Sequence, residues 1–326
     1  MENDFFERTI IMKLYPLKLS AFISQTVWGG RRLIDEYNIK TDKENAAEAW
    51  VMSAHKNGTS TVANGELKGK TLRQLYSEYP QIGGKNCEGF KDFPVLIKFI
   101  DAAANLSVQV HPDDAYCEKK GEGAGKTESW YILDCEEDAY LLLGFEKEIS
   151  KQQFEEAIRS NTLTDYVKKV PVKKGDFFFI PSGTLHAICK GIVLAEVQQN
   201  SDTTYRIYDY GRMGLDGKPR QLHIEDSINV TNLTVYKNPC TPKKMGDRLE
   251  LVSCPFFKEN IFTTDSPVKG FADEKSFVSL LILEGEGKLY CAGEELLLEK
   301  GDSIFIPAGC GEYTVSGKVK VLETTI

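Results

Sequence analysis

Histidine is scarce in this chain of 326 residues: His55, His111, His186 and His223 are all there is. Any imidazole metal site must draw on that short set. Thiolate sites are poorly supplied as well. Cys87, Cys117, Cys135, Cys189, Cys240, Cys254, Cys291 and Cys310 never form a Cys-x-x-Cys pair, and scattered thiols of this kind are expected to be free and reduced. Long apolar runs are missing: 280–283, Leu-Leu-Ile-Leu, is far too short to cross a bilayer, so no membrane partner is expected. The N-terminus, Met-Glu-Asn-Asp-Phe-Phe-Glu-Arg, is acidic and lacks an apolar h-region. It does not read as a signal peptide, and a cytoplasmic location is expected. Positive charge is not in excess either. A net charge of −8 and a pI near 5.3 argue against nucleic acid as a partner, while leaving room for a local basic pocket that takes a small anion.

In bulk the chain is ordinary for a soluble globular protein, with 41% hydrophobic and 27% charged residues. Its length allows two domains, or one large β domain with additions. The informative stretch is 172–186. Gly175 and Asp176 make a turn, and the aromatic and β-branched run from Phe177 to Ile180 reads as a strand buried on both faces. Pro181 and Gly183 then bend the chain, and His186 arrives three residues later. A histidine just past such a corner is held by backbone geometry rather than by a long stem, as a metal ligand needs to be. The spacing Gly-x5-Pro-x-Gly-x2-His resembles the second half of the cupin signature, a motif of small β-barrels that hold a metal inside. That signature ends in Asn four residues after the histidine, where this chain has Lys190.

The remainder reads as mainly β with a few short helices. Residues 1–11 look like a loose extension, 13–19 an opening strand, and 46–53 strand or helix. Thr71, Asp113 and Ser150 are placed to N-cap helices over 72–79, 115–120 and 151–160, and 164–169 reads as a further helical turn. Ser107, Gln109 and His111 alternate with Leu106, Val108 and Val110, so the polar three share one strand face. Such a face suits water, or the inside of a barrel with a metal in it. Further on, Gly-Asp-Ser-Ile-Phe-Ile-Pro-Ala-Gly at 301–309 echoes Gly-Asp-Phe-Phe-Phe-Ile-Pro-Ser-Gly at 175–183. Where the first copy has His186 the second has Glu312, and no histidine follows His223. The expectation is two cupin-type, jelly-roll β-barrels. A catalytic, metal-binding barrel with helical insertions would occupy 1–235, and a barrel without metal 236–326.

Gln109 and His111 from one strand face, Glu128 at the start of the next strand, and His186 after its corner make a ligand set. It offers two imidazoles, one carboxylate and one amide oxygen. That borderline set suits one Zn2+ per chain, with Mn2+, Fe2+, Co2+ or Ni2+ as alternatives. With no thiolate in it, an open position of the catalytic kind is expected.

Val-Gln-Val-His-Pro-Asp-Asp at 108–114, Lys126-Thr127-Glu128, the His186 motif and Ser201-Asp202-x-x-x-Arg206, in this order, resemble type I mannose-6-phosphate isomerases in their short bacterial form. Trp28-Gly29-Gly30 and Glu48-Ala49-Trp50…His55 fit as well, so the resemblance spans about residues 13–326. Larger members carry Asn-His-Lys-Pro-Glu where this chain has Ala124-Gly125-Lys126-Thr127-Glu128; the Lys and Glu survive, and nothing is carried over for the missing His. The resemblance implies interconversion of mannose 6-phosphate and fructose 6-phosphate through a cis-enediol, with Zn2+ on Gln109, His111, Glu128 and His186. It implies catalytic roles for Arg206, Lys126 and Glu196, and substrate contacts from Ser107, Lys126, Asp202 and Arg206. Lys126 suits the substrate phosphate, and Arg206 suits either the enediolate or the phosphate. His55 reads as lying near the substrate, and His223 as a helix start with no part in the site. Trp28 and Trp50 read as packing residues. The partner is a small sugar phosphate, the assembly a monomer or homodimer. The competing readings are a non-catalytic sugar-phosphate-binding cupin and an Fe(II) cupin dioxygenase. If the second copy of the repeat holds no metal, Glu312→Ala leaves the metal content of the purified protein unchanged in elemental analysis; a loss of metal would overturn that reading.

Overall fold

A computed structural model describes residues 14–326. The expected extension over 1–11 lies outside the described residues, and the opening strand runs over Leu17–Ser20.

Strands dominate, arranged in three large antiparallel sheets and one two-stranded ribbon. One sheet has six strands, in the order Phe177–Ile180, Glu128–Cys135, Ile192–Gln199, Val95–Ala102, Glu48–Met52 and Phe22–Ser24. A second has five, in the order Val167–Pro171, Tyr140–Phe145, His186–Ile188, Val108–Val110 and Tyr205–Tyr208. Their inner faces meet in one core, where Ile100, Trp130, Ile132 and Leu194 of the first pack with Leu141, Leu143 and Ile188 of the second. The helices Lys151–Arg159 and Ile224–Val230 cover the outer face of the five-stranded sheet, through Phe154, Ile224 and Ile228. The third sheet folds the C-terminal region around an aliphatic core that includes Leu280, Ile282, Ile304, Val315 and Val321. The expected mainly β, cupin-type pair of jelly-roll units is the observed architecture.

The six-stranded sheet is covered on both sides. Along Ile192–Gln199, Ile192 and Leu194 face the first core, whereas Val193, Ala195 and Val197 face the C-terminal sheet and its Leu251, Leu281 and Phe305. Strand periodicity therefore divides each of these strands between two interiors. The C-terminal sheet also recruits early chain: Leu17–Ser20 pairs with Ser303–Ile306, and Thr61–Val62 pairs with Leu17–Ser20 in turn. Hydrogen bonds thus cross from the first 62 residues into the sheet that lies beyond 235.

The internal echo extends to atomic detail. Gly175 and Gly301 adopt φ of +92° and +95°, a conformation that a side chain would strain. Asp176 accepts from the Lys173 N–H at 2.9 Å, and Asp302 from the Glu299 N–H at 2.8 Å. The following strands pair alike: Ile180 lies opposite Glu128, and Ile306 opposite Val278. The position that carries a carboxylate in the first unit thus carries an aliphatic side chain in the second. Glu312, the counterpart of His186, has an exposed side chain paired with Lys269.

Two local expectations need correction. The stretch 164–169 is not a helical turn: a short 3-10 turn ends at Asp165, and Val167–Pro171 is an edge strand paired with Tyr140–Phe145. Its β-branched valines and terminal proline suit an edge better than a helix. Phe177–Ile180 is only partly buried on one face: Phe178 and Ile180 are buried, while Phe177 and Phe179 are half-buried against the core between the two units. The residues 46–53 resolve as a strand over Glu48–Met52, and Thr71 and Ser150 both form capping boxes.

Where the two units meet, Ser129 donates a hydrogen bond to Glu259, which is 1% exposed. No cation pairs with Glu259 among the described residues, and burial pushes its carboxyl up to about 8 from an ordinary 4.5. Between those values the native state keeps a proton that the unfolded chain has lost, so this group subtracts stability as pH rises, by up to roughly 1.4 kcal/mol per pH unit. Glu259→Gln keeps an acceptor for Ser129 and removes the titration. Its melting temperature should therefore gain on the parent's from pH 5 to pH 8. A constant difference across that range would refute the buried, protonated carboxyl.

Candidate functional site

Register brings the candidate residues onto one inner surface. In the six-stranded sheet Glu196 lies directly opposite Lys98 on one side and Trp130 on the other, and Glu128 lies opposite Gln198. In the five-stranded sheet Gln109 sits between His186 and Arg206. Lys98, Glu128 and Glu196 fall on the same alternation as Trp130 and Leu194, so they point inward, away from the C-terminal sheet.

His111, Glu128 and His186 are each 1% exposed, and their donor atoms all lie within 4.8 Å of one another. The Nδ1 of His111 is 2.9 Å from the Thr203 carbonyl, and that of His186 is 2.9 Å from the Thr184 carbonyl. A carbonyl only accepts, so each Nδ1 carries the proton and each Nε2 presents a lone pair. Those lone pairs face the carboxylate: His111 Nε2 lies 3.6 Å from Glu128 Oε2, and His186 Nε2 3.4 Å from Oε1. Such an arrangement repels itself unless a cation lies between or the carboxyl keeps its proton. His111 Nε2 and Glu128 Oε1 have no hydrogen-bond partner, an arrangement that costs about 1–3 kcal/mol per orphaned group. Burial keeps both imidazoles neutral, with His186 pushed down to about 4 and His111 well below its usual value. Burial also pushes Glu128 up to about 7, against the pull of Lys126. A first-row divalent ion about 2.1 Å from each donor would give tetrahedral edges of about 3.4 Å. The two imidazole–carboxylate spacings, 3.6 and 3.4 Å, match that edge, and the three donors together lie within 4.8 Å of one another.

Gln109 completes the neighbourhood. Its Nε2 is 3.3 Å from His186 Nε2, and its Oε1 accepts from Ser107 Oγ at 3.1 Å. Turning the amide by 180° presents Oε1 to the triad and Nε2 to Ser107 Oγ, which accepts as readily as it donates. The residues present can therefore supply the four donors expected.

Beside the triad is a cavity of about 210 Å³, whose walls include Ser107, Gln109, Lys126, Glu196, Asp202 and Arg206. Lys126 is buried, with Nζ 2.8 Å from Glu128 Oε2 and 3.8 Å from Glu196 Oε2. Glu196 is buried too; Oε1 accepts from Trp130 Nε1 at 3.1 Å, and Oε2 is 3.0 Å from Lys98 Nζ. Burial opposes its charge, but Lys126 and Lys98 outweigh that and hold it down to about 2. Arg206 donates to Ser107 Oγ at 3.2 Å and to the Gln221 carbonyl at 3.0 Å, with no carboxylate in ion-pair range among the described residues. Asp202 stands at the rim and accepts from Asn57 Nδ2 at 2.6 Å.

Residues 16–143 match the phosphomannose isomerase type I catalytic domain, and 247–326 the mannose-6-phosphate isomerase cupin domain. The chain is 39% identical to a Bacillus subtilis protein described as "Probable mannose-6-phosphate isomerase GmuF", over 93% of this chain and 96% of that one. It is 38% identical to the mannose-6-phosphate isomerase of Streptococcus mutans, over 95% and 98%. The chain belongs to the mannose-6-phosphate isomerase family. Its backbone agrees: the crystal structure of the mannose 6-phosphate isomerase from Bacillus subtilis superposes with a TM-score of 0.87, at 34% identity, over 95% of this chain and 99% of that one.

Within this family member, several site residues escaped the sequence reading. Lys98 is the clearest. It is 5% exposed, 3.0 Å from Glu196 and 3.5 Å from Glu48, and its ammonium lies over the Trp50 ring. Burial alone would lower it, but Glu196 and Glu48 hold it above its usual value. A lone lysine inside the apolar run Val95–Ile100 was the available signal. Trp28 and Trp50 are buried as expected, yet both also line the cavity, as does Thr26, whose hydroxyl has no internal partner. His55 lies 3.5 Å from Asp202 and against Trp50. His223 does start its helix, and its Nδ1 also accepts the Arg206 N–H at 3.2 Å.

Breaking the Lys98–Glu196 contact should be costly. Lys98→Met is expected to destabilise the fold by about 3–5 kcal/mol in urea unfolding, reduced by whatever Lys126 compensates, because it strands a buried carboxylate. Adding Glu196→Gln should recover part of that loss; simple additivity of the two changes would show that the groups are not coupled.

Proposed function

We propose that the chain interconverts D-mannose 6-phosphate and D-fructose 6-phosphate, moving a proton between C1 and C2 through a cis-enediol. The observation that carries this reading is the inward-facing triad of two neutral imidazoles and a carboxylate, next to a cavity lined by its neighbours Gln109 and Lys126 and by the carboxylate-free guanidinium of Arg206. The family supports it, and so do its relatives' names. His111, Glu128, His186 and Gln109 would hold one divalent ion, for which Zn2+ is the first choice. When bound, the ion polarises a substrate oxygen or aligns neighbouring hydroxyls.

The chain's own groups do the rest. Lys126 places an ammonium beside Glu128, where it can stabilise negative charge developing on the substrate oxygens. Glu196 lines the same cavity and holds both Lys98 and Lys126 in position. Arg206 offers a cation already partly stripped of water, for the enediolate or the phosphate. Ser107 couples Arg206 to Gln109 through two hydrogen bonds. Asp202, at the rim, accepts from sugar hydroxyls. The division into a catalytic unit over 1–235 and a C-terminal unit over 236–326 is part of this reading, with the second unit as support. Two cations and an isomerase family tell against an Fe(II) dioxygenase and against a purely binding cupin. Among the described residues no helix is long and apolar enough to cross a membrane, in keeping with a small, diffusible substrate.

A coupled assay for fructose 6-phosphate, run with elemental analysis on the same sample, tests the proposal. Turnover should vanish after chelation and return with zinc. Full activity in metal-free protein would sink the mechanism. Binding of mannose 6-phosphate without turnover would favour the non-catalytic cupin, and oxygen uptake with bound iron the dioxygenase.

A further inference from the structure

Three carboxylates line the cavity, Glu48, Glu196 and Asp202, and they are not equivalent. Glu48 pairs with Lys98, and Glu196 with both Lys98 and Lys126. Their charges are answered inside the protein. Asp202 has no lysine or arginine in ion-pair range among the described residues; its only such neighbour is His55. It also lines a second, larger cavity of about 910 Å³, and no other described residue lines both. Asp202 therefore stands where the two spaces adjoin. An unpaired carboxylate at that junction can accept from the hydroxyls of a sugar, provided that its direction is fixed.

The backbone on either side of Asp202 is held by the barrel. Ser201 Oγ donates to the Ala124 carbonyl at 2.6 Å, and the Thr203 carbonyl accepts from His111 Nδ1 at 2.9 Å. The carboxylate itself is held from the two-stranded ribbon Ala54–His55 and Gly58–Thr59, far earlier in the chain. Asn57 Nδ2 donates to Oδ2 at 2.6 Å. His55 receives the Asn57 N–H on Nδ1 at 3.2 Å, so its proton sits on Nε2, which lies 3.5 Å from Oδ1. Burial, against the pull of Asp202, lowers His55 below its usual value, so the imidazole orients the carboxylate without cancelling its charge. Each carboxylate oxygen keeps a further lone pair for a substrate. The ribbon is itself well seated. Lys56 and Asn57 form its turn, Arg73 donates to the Ala54 carbonyl at 3.1 Å, and His55 packs edge-on against Trp50. Phe22 lies so close to Gly58 that a Cβ there would meet its ring at 2.4 Å. Asn57 is exposed, but the ribbon beneath it is packed.

We propose that Asn57, backed by His55, is a positioning residue for the isomerisation: it aims the unpaired carboxylate of Asp202 into the cavity, where that carboxylate accepts from the sugar's hydroxyls. The assignment rests on the sugar-phosphate isomerase reading above and deepens it. It gives a role to the ribbon, which supplies no member of the metal triad and none of the inner cavity's cations. The Asp202 side chain is 41% exposed, so without the ribbon's two donors it would be free to turn toward solvent.

The test is a mutant cycle on the metal-loaded full chain, read as kcat/KM for mannose 6-phosphate, melting temperature and metal content. Asn57→Ala should lower kcat/KM roughly tenfold with metal content unchanged, and Asn57→Asp, which sets a like charge against Asp202, should lower it further. In an Asp202→Asn background, Asn57→Ala should cost nothing more, because its effect runs through Asp202. The exchanged pair N57D/D202N can re-form the hydrogen bond with donor and acceptor reversed. It should regain melting temperature but not kcat/KM, since the carboxylate then sits on the ribbon. A parental kcat/KM in Asn57→Ala, additive losses in the cycle, or recovery of turnover in the exchanged pair would overturn the proposal. So would an Asn57→Ala protein that fails to fold, because the contact would then be structural. If the parent shows no turnover, the isomerase reading fails, and the same cycle is read by calorimetry with mannose 6-phosphate. Non-additive losses of affinity then keep the positioning role; additive losses, or no binding by the parent, overturn it.

Discussion

Four charged side chains, Glu48, Lys98, Glu128 and Glu196, share one interior face of the six-stranded sheet, Lys126 joins them from the loop just before Glu128, and most of the five are almost fully buried. Ions in such surroundings are tolerated only when they compensate one another. The count is two ammonium groups against three carboxylates, and the deficit falls beside two imidazoles that burial keeps neutral. Burial, with Glu196 nearby, pushes the Glu128 carboxyl up toward neutrality against the pull of Lys126. A divalent ion reverses that. It would outweigh the one unmatched carboxylate, give the orphaned Nε2 of His111 a partner, and remove the lone-pair repulsion across the triad. Electrostatics of the strand face therefore favour a cation at the same place as the ligand geometry does. The same demand explains why this face lies inside a barrel rather than against the C-terminal sheet, where its neighbours on the opposite alternation are Val193, Ala195 and Val197.

How much of this could be read from sequence depended on range. Gln109 and His111 were legible because a period of two is local, and His186 because Pro181 and Gly183 bend the chain in a fixed way before it. Helix starts at Thr71 and Ser150 were legible for the same reason: the capping side chain and its partner lie three residues apart. Lys98 was not, because a single lysine in an apolar strand takes its meaning from the residues opposite, Glu196 and Trp50, which are about 100 positions later and 48 earlier. The pairing of Leu17–Ser20 with Ser303–Ile306 is non-local in the same sense; no pattern within either strand announces the other. Arg220 shows a third kind of illegibility. In sequence it is one of two arginines on a polar loop, and only the structure shows that it lines the cavity and shares Asp209 with Arg212. The misreading of 164–169 has a simpler cause, since edge strands with lysine-rich faces resemble exposed helices until a partner strand is found.

The repeated turn shows what separates the two units. Both copies use a glycine at positive φ, an aspartate that caps the turn, and a strand paired with the start of a long central strand. Scaffold and chemistry are therefore separable. The scaffold repeats because turn and register are backbone properties. The chemistry differs because inward-facing positions were filled differently, with Val278 where Glu128 would be and an aliphatic core in place of a polar cavity.

That apolar unit still bears on the site. The strand that presents Glu128 to the cavity turns its next residue, Ser129, to the C-terminal sheet, where it donates to the buried Glu259. Tyr131 and Leu133, on the same side of that strand, pack into the core between the units. The ligand-bearing strand is thus clamped from behind at alternate residues over its whole inner length. A carboxylate that must meet two histidines to within a few tenths of an ångström needs such a backing, because a free sheet face would let the strand twist and flex. The second unit, on this view, contributes rigidity rather than ligands, and its hold on the strand begins one residue from the metal-facing carboxylate.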